Sequence, residues 1–317
     1  RGEAAIPGRR SRGAAGVLDR QSRAEAVKEM EELASELVRS GFALLPVDRS
    51  FVAAARAAMD AMKALEEAGV ASASYSAKEP HYSGNQKQTA RSFTVVRGDA
   101  EWPPSSEFFR AAMDAYAARV EAVRDDVIAA LSKSFAERFD GGGEFLRKNV
   151  SSSTTQRSNR VLRCMRYPAS SEVGIAVHTD YELVTLIYQS APGLEVRSRR
   201  DELWRRPFAE NSLILISGDA MEFITGGWMK ATQHRVLTPD ADRSSLVFFQ
   251  PLDDDVPLAP LSEKTFPCRQ PRRRKRRQKT TRDHLPLDAD SRRLPPDHRT
   301  QLEHITSRDA AAKRRRA

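Results

Sequence analysis

His178, Asp180 and His234 are the residues of this 317-residue chain whose types and spacing can do chemistry. Two imidazoles and one carboxylate can hold a divalent iron on one face and leave the opposite coordination positions open for substrate and dioxygen. In a β-strand residues i and i+2 point to one side while i+1 points away. His178 and Asp180 are therefore expected to converge, with Thr179 turned aside. The strand reading rests on Leu183-Val184-Thr185-Leu186-Ile187-Tyr188, a β-branched and aromatic run, although periodicity alone leaves a buried helix open there. His234 follows Asp180 by 54 residues, enough chain to go round a sandwich or barrel and return. Thr232 and Val236 flank it in a strand-like setting.

Arg243 and Ser245 repeat the i, i+2 arrangement at the head of a second strand, Ser245-Leu246-Val247-Phe248-Phe249, so their donors face one way. Between them and His234 lies Thr238-Pro239-Asp240-Ala241-Asp242, a turn by composition. A hairpin folded there is expected to set Arg243 opposite a residue two or three places from His234, roughly 7 to 10 Å along the strand. A five-carbon dicarboxylate spans such a gap. Its near end would chelate the metal while the guanidinium clamps the far carboxylate through two parallel hydrogen bonds.

A lone His-x-Asp is common by chance, and a single strand histidine is ordinarily a packed or surface residue. Here three features stand in order, and two of the three histidines within residues 1 to 267, His178 and His234 but not His81, belong to the set. His81, beside Tyr82 and Gly84 in a polar stretch, reads as a loop residue.

These residues resemble a family, the iron(II) and 2-oxoglutarate-dependent dioxygenases, in the subgroup that includes isopenicillin N synthase and plant flavonoid and hormone oxygenases. The likeness is carried by His178-x-Asp180 with His234, by Arg243-Ser244-Ser245, and by Leu162-Arg163-Cys164-Met165-Arg166-Tyr167-Pro168. It covers residues 160 to 252 well and residues 25 to 150 loosely. It implies Fe(II) held by His178, Asp180 and His234, and 2-oxoglutarate held by Arg243 and Ser245. It also implies that Tyr167 helps bind the cosubstrate's tail carboxylate, and that O2 takes the remaining position on the iron. Many members have Asn two residues before this Tyr; here the residue is Met165. The activity implied is oxidation, usually hydroxylation, of a C–H bond in a small organic substrate, with release of succinate and CO2. An alternative keeps the iron but uses no 2-oxoglutarate, Arg243 and Ser245 then binding the substrate's own carboxylate. A further alternative is a catalytically inactive jelly roll that binds nucleic acid through a basic tail. The resemblance places the substrate pocket between the N-terminal helical region and strand residues facing the iron, with Phe249 and residues near Ser92 to Val96 as candidates.

The elements that must position these residues run α, then β. Residues 1–22 are rich in Gly, Arg and Ala and read as a mobile segment. Residues 23–150 read as a helical N-terminal region. Val27, Met30, Leu33 and Leu37 form a helical stripe that stops at Gly41, followed by the short strand Phe42 to Leu45 and a second helix from about Phe51 to Glu67. Ser92 to Val96 reads as a strand. The clearest helix starts after Ser105 or Ser106, either of which can cap its free amides. Its residues Phe109, Met113, Tyr116, Val120, Val123, Val127 and Leu131 make one apolar seam for packing on a sheet. Asp140-Gly141-Gly142-Gly143 reads as a helix stop and hinge that follows a helix instead of opening one, and so not as a phosphate cradle.

From Val161 the signals are strands divided by turns: Val161 to Tyr167, Val173 to His178, Leu183 to Tyr188, Leu194 to Val196, Leu213 to Ile216, Ala231 to Leu237 and Ser245 to Gln250. Seven or eight short antiparallel strands indicate a jelly roll whose open end can hold a ligand. The expected fold class is α+β, with a double-stranded β-helix core, the family's own architecture, in residues 151–255. The helical region packs on it and a disordered basic tail follows.

The formal charge of +9 divides unevenly. Residues 268 to 317 carry 17 Lys or Arg against 6 Asp or Glu, leaving 35 against 37 in the rest of the chain. With Arg272 to Arg277 and Lys313 to Arg316 but no aromatic residue, this stretch cannot bury enough surface to offset chain entropy. Residues 256–317 are thus expected to be a linker and a disordered tail. Nucleic acid is a conceivable partner only through that tail. At 40% apolar content the chain can build a sizeable core, yet no apolar run reaches the length of a membrane span. Two cysteines, Cys164 and Cys268, exclude a disulfide scaffold and suit a reducing compartment. Cys164 reads as a small buried hydrophobe. The chain begins at Arg1 without a methionine, so its N-terminus reads as incomplete, no targeting segment is legible, and a cytoplasmic location is the expectation.

Overall fold

A computed structural model of the chain describes residues 32–68, 91–96, 102, 106–150, 161–167, 169, 175–237, 241–253 and 256–264, with 91–96 described in the backbone alone. His81, Cys268, the N-terminal segment and the basic tail lie outside these residues, as do Val27 and Met30 of the first helical stripe.

Helix α1 covers 32–40, with Leu33 and Leu37 buried. Strand β1 (Phe42–Pro46) leads into α2 (Arg49–Glu67), whose start is set by Asp48: its carboxylate accepts the Phe51 amide at 2.7 Å. Strand β2 (Arg91–Val96) precedes α3 (Glu107–Arg138) and α4 (Gly142–Asn149). The β region then comprises β3 (Val161–Tyr167), β4 (Ile175–His178), β5 (Val184–Gln189), β6 (Leu194–Arg197), β7 (Trp204–Arg205) and β8 (Ser212–Ser217). Helix α5 (Asp219–Ile224), β9 (His234–Val236) and β10 (Arg243–Gln250) complete it.

The described strands form two antiparallel sheets, a larger one ordered β1-β8-β5-β10-β3-β2 and a smaller one ordered β4-β9-β6-β7. Strand alternation divides the buried side chains of β3, β5, β8 and β10 between two cores. Leu162, Cys164, Leu186, Tyr188, Leu213, Leu215, Leu246 and Phe248 face the helices. Their neighbours Met165, Tyr167, Ile187, Ile214, Ile216, Val247 and Phe249 face the smaller sheet. Burial on both faces explains why these strands read as continuous apolar runs and not as an alternation.

The seam of α3 packs as expected: Phe109, Met113, Tyr116, Val120, Val127 and Leu131 are buried in the helix-facing core. Phe51 of α2 stands edge-on to Tyr116 at 5.4 Å and to Tyr188 of β5 at 5.9 Å, tying two helices to the sheet. Arg124 interrupts the apolar face of α3 at full burial, and its Nη1 donates to Gln250 Oε1 of β10 at 2.9 Å.

Several expectations are corrected here. Strands β9 and β10 form no hairpin: β9 pairs with β4 and β6, whereas β10 lies between β3 and β5 in the other sheet. Strand β9 is also shorter than Ala231 to Leu237. Ser106 occupies the N-cap of α3 without a side-chain capping bond. The glycine run is no hinge. Gly141 takes a left-handed conformation, and Gly142 and Gly143 open α4 while packed on the end of α3. A Cβ on Gly142 would lie 2.7 Å from Phe135 O, and one on Gly143 2.7 Å from Ser132 O. Residues 256–264 are held to the body: Leu261 N donates to Ile224 O, Lys264 N to Arg138 O, and Asp140 N to Ser262 O. No helix among the described residues is long and apolar enough to cross a membrane.

Candidate metal centre and carboxylate site

The site lies between the two sheets, in a cleft lined by all six residues singled out in the sequence: His178, Asp180, His234, Tyr167, Arg243 and Ser245. His178 ends β4 and His234 begins β9, and the two are direct cross-strand partners. Asp180 lies just past the end of β4, so its convergence with His178 comes from the turn that follows the strand and not from strand pleating. Asp180 Oδ1 stands 3.7 Å from Nε2 of each histidine. The three donor atoms lie within 4.8 Å of one another.

Hydrogen bonds orient each donor. His178 Nδ1 bonds to Ala176 O at 2.8 Å and His234 Nδ1 to Thr232 O at 3.0 Å. A carbonyl can only accept, so each Nδ1 carries the proton and each Nε2 keeps a lone pair directed at the shared centre. Thr185 Oγ1 donates to Asp180 Oδ2 at 2.6 Å, which leaves Oδ1 for the same centre. Burial, and next the charge of His234, push the His178 pKa down to about 4, with Arg163 acting in the same direction and Asp180 against it. The ring is therefore neutral near pH 7, the form that ligates. This donor set fits Fe(II): imidazole and carboxylate ligands, a compact spacing and an open side.

Arg243 is 2% exposed. Its Nη2 donates to Gln189 Oε1 at 2.8 Å, its Cζ lies 4.5 Å from the ring centroid of Tyr167, and Nη1 has no hydrogen-bond partner among the described residues. No carboxylate pairs with it among those residues, and burial lowers its pKa. A buried guanidinium in this state is poised for an anion. Gly193 is what makes room for it, since a Cβ there would lie 2.7 Å from Arg243 Cδ and Nε. Tyr167 is the cross-strand partner of Arg243, and its hydroxyl donates to the sulfur of Met165 at 3.3 Å. Ser245 is buried on the Arg243 face, and Phe249 lines the cleft from the same strand. Strand β2 pairs with β3 at the edge of the larger sheet.

Sequence reading missed Thr185, Gln189, Gly193 and Arg163. Only Arg163 left a usable signal, since it shares a strand face with Met165 and Tyr167. Cys164 points the other way into the helix-facing core, where burial pushes its thiol pKa up.

A double-sheet jelly roll with two histidines and a carboxylate facing one point defines a class, the jelly-roll proteins with a candidate mononuclear metal centre. Residues 156–251 match the family model of the 2OG-Fe(II) oxygenase superfamily. Among curated relatives the chain is 29% identical over 168 residues to 2-oxoglutarate-dependent dioxygenase 21 of Oryza sativa subsp. japonica, covering 49% of this chain and 46% of that one. It is 36% identical over 101 residues to validamycin A dioxygenase of Streptomyces hygroscopicus subsp. limoneus, covering 30% and 28%. The matched region therefore spans less than half the length of these two relatives. Among solved structures, a 2OG-Fe(II) oxygenase family protein of Caulobacter crescentus superimposes with a TM-score of 0.61 at 21% identity over 76% of this chain and 87% of that one. That likeness concerns the fold.

Proposed function

We propose that this protein is an Fe(II)- and 2-oxoglutarate-dependent oxygenase that hydroxylates a C–H bond of a small organic substrate. The observation that carries this reading is the presence, in one cleft, of three oriented metal donors and a buried Arg243 whose Nη1 has no partner among the described residues. Relatives described as dioxygenases that use 2-oxoglutarate support it.

His178 Nε2, Asp180 Oδ1 and His234 Nε2 would hold the iron. Arg243 would pair with the far carboxylate of 2-oxoglutarate, Ser245 would donate to it, and Tyr167 would support the guanidinium through its ring face. When bound, the metal and cosubstrate would supply oxygen activation, with 2-oxoglutarate oxidised to succinate and CO2, one oxygen atom of O2 going to succinate and the other to the substrate C–H bond. The chain's own contribution is orientation and exclusion of water. Ile175, Leu194 and Val236 form apolar walls of the cleft, and the larger sheet supplies its floor.

The test is succinate formation from 2-oxoglutarate with Fe(II) and O2, comparing the wild type with His178→Ala and Arg243→Ala. Both variants are expected to lose turnover. Equal rates in all three proteins would refute the assignment.

A further inference from the structure

We propose that Gln189 is a positioning residue that sets the cosubstrate preference of the cleft: as a neutral amide it fixes the Arg243 fork and leaves the guanidinium charge to the far carboxylate of 2-oxoglutarate. The proposal rests on the oxygenase reading above and names the residue that makes Arg243 selective.

The contact follows from strand register. Gln189 ends β5 and sits opposite Ser245 of β10, so Arg243, two residues before Ser245, is its diagonal neighbour. Diagonal positions of paired strands lie about 7 to 8 Å apart, within reach of long side chains. Gln189 is 4% exposed, and its Oε1 accepts from Arg243 Nη2 at 2.8 Å.

The other end of the amide decides which way it faces. Gln189 Nε2 donates to Pro207 O at 2.8 Å, and the Leu194 amide donates to Gln189 Oε1 at 3.4 Å. A carbonyl oxygen only accepts, so Pro207 requires the NH2 group on its side and turns the amide oxygen toward Arg243. An ionised carboxylate of the same length would set one of its oxygens against Pro207 O. The surroundings of Gln189 are therefore suited to an amide.

Neutrality is what matters for Arg243. A buried guanidinium ordinarily meets a carboxylate, because an uncompensated charge away from water is costly. Arg243 instead donates to neutral oxygens, from Nη2 to the Gln189 amide and from Nε to the Ala191 carbonyl at 3.4 Å. Nη1 has no partner among the described residues. The fork is thus held at two of its nitrogens with its charge uncompensated, and the third is left for an anion. A carboxylate in place of the amide would fill nearly the same volume and neutralise that charge from within the protein. The cleft would then gain little from a second carboxylate on its cosubstrate.

The test measures binding by anaerobic calorimetry to the full chain loaded with Fe(II), with 2-oxoglutarate and 2-oxopentanoate as probes. The second probe has the same carbon chain with a methyl group in place of the far carboxylate. The wild type should bind 2-oxoglutarate more tightly by roughly hundredfold or more. Gln189→Leu removes the hydrogen bonds of the amide without adding charge, so it should weaken 2-oxoglutarate about fivefold and keep a preference of at least about twentyfold. Gln189→Glu should bring the two acids to within about threefold of each other, through loss of 2-oxoglutarate affinity. A position that mattered only for folding would shift both acids alike. Fe(II) uptake reports folding in each variant, since Gln189 bonds to none of the metal donors. If Gln189→Glu takes up no iron, Gln189→Asp takes its place with the same collapse of preference expected; if neither does, the fivefold loss in Gln189→Leu decides. A preference kept in a folded carboxylate variant, an unchanged 2-oxoglutarate affinity in Gln189→Leu, or equal binding of the two acids by the wild type would overturn the proposal. In each of those cases the wild type still binds 2-oxoglutarate and the oxygenase reading stands. Absence of 2-oxoglutarate binding in the wild type would overturn that reading, and this proposal with it.

Discussion

His178 and His234 face each other across the β4–β9 pair, with ring centroids 4.1 Å apart and ring planes inclined by 51°. Cross-strand partners are the closest side-chain neighbours that a sheet offers. The pair sets two imidazole nitrogens at one point without any contribution from loops, and Asp180 completes the set from the turn beyond β4. Removing any one of the three is expected to abolish tight metal uptake. The check is metal stoichiometry after anaerobic reconstitution, where the wild type should hold one Fe(II) per chain and His178→Ala, Asp180→Ala and His234→Ala close to none.

Thr185 acts on the metal only through Asp180, by donating to Oδ2 and leaving Oδ1 free. Loss of such an outer hydrogen bond typically costs about 10- to 100-fold in metal affinity. Thr185→Val keeps the shape and deletes the donor. It should weaken Fe(II) binding by that factor while the circular dichroism spectrum stays unchanged. An unaltered affinity would show that Asp180 needs no orienting partner.

Gly193 and Arg243 form a second such pair. A methyl group at position 193 would occupy the space of the guanidinium, so Gly193→Ala should lower 2-oxoglutarate affinity by roughly tenfold or more without reducing metal binding. Arg243→Lys, which keeps the charge and loses the fork, should behave in the same direction. Anaerobic calorimetry with 2-oxoglutarate separates both variants from the metal-ligand variants.

Acid should loosen the metal-free fold through His178. Its pKa lies near 4, depressed by burial and by His234, whereas an unfolded histidine titrates near 6.5. Between those values the unfolded chain binds a proton that the folded chain refuses, so stability falls as pH drops from about 6.5 to about 4 and is insensitive to this group outside that window. The effect is at most about 3 to 4 kcal/mol, at about 1.4 kcal/mol per pKa unit. Urea unfolding of the metal-free protein at stepped pH should show this slope, and His178→Gln should remove most of it.

Cys164 is fully buried and its thiol is held protonated by desolvation. Iodoacetamide should leave it unmodified in the native protein near neutral pH and label it after unfolding, as read by peptide mass spectrometry. Labelling of Cys164 at native pH would show that the helix-facing core opens.

Much of the site was legible because its signals are local. The spacing of Arg243 and Ser245 follows from strand pleating, and the division of the β3, β5, β8 and β10 side chains between two cores follows from the same period of two. The seam of α3 was readable for the corresponding reason, a period near 3.6 residues sustained over many turns. Arg124 was not, because its place in that face depends on Gln250, on a strand far along the chain.

What the residues alone determined, then, was the donor set, the Arg-x-Ser pair and the jelly-roll class. Tertiary structure decided how these parts meet. The turn composition of Thr238 to Asp242 announces that the chain changes direction, but it carries no information about which strand comes next to β10. That choice follows from burial of both faces of the larger sheet, which sends β9 to one sheet and β10 to the other and sets the metal donors across a cleft from Arg243. The pairing of β5 with β10 brings Gln189 to Arg243, and that of β3 with β10 sets Arg163 beside Val247 on the floor of the cleft. Pairing between strands is a property of the folded sheet, not of any segment within it.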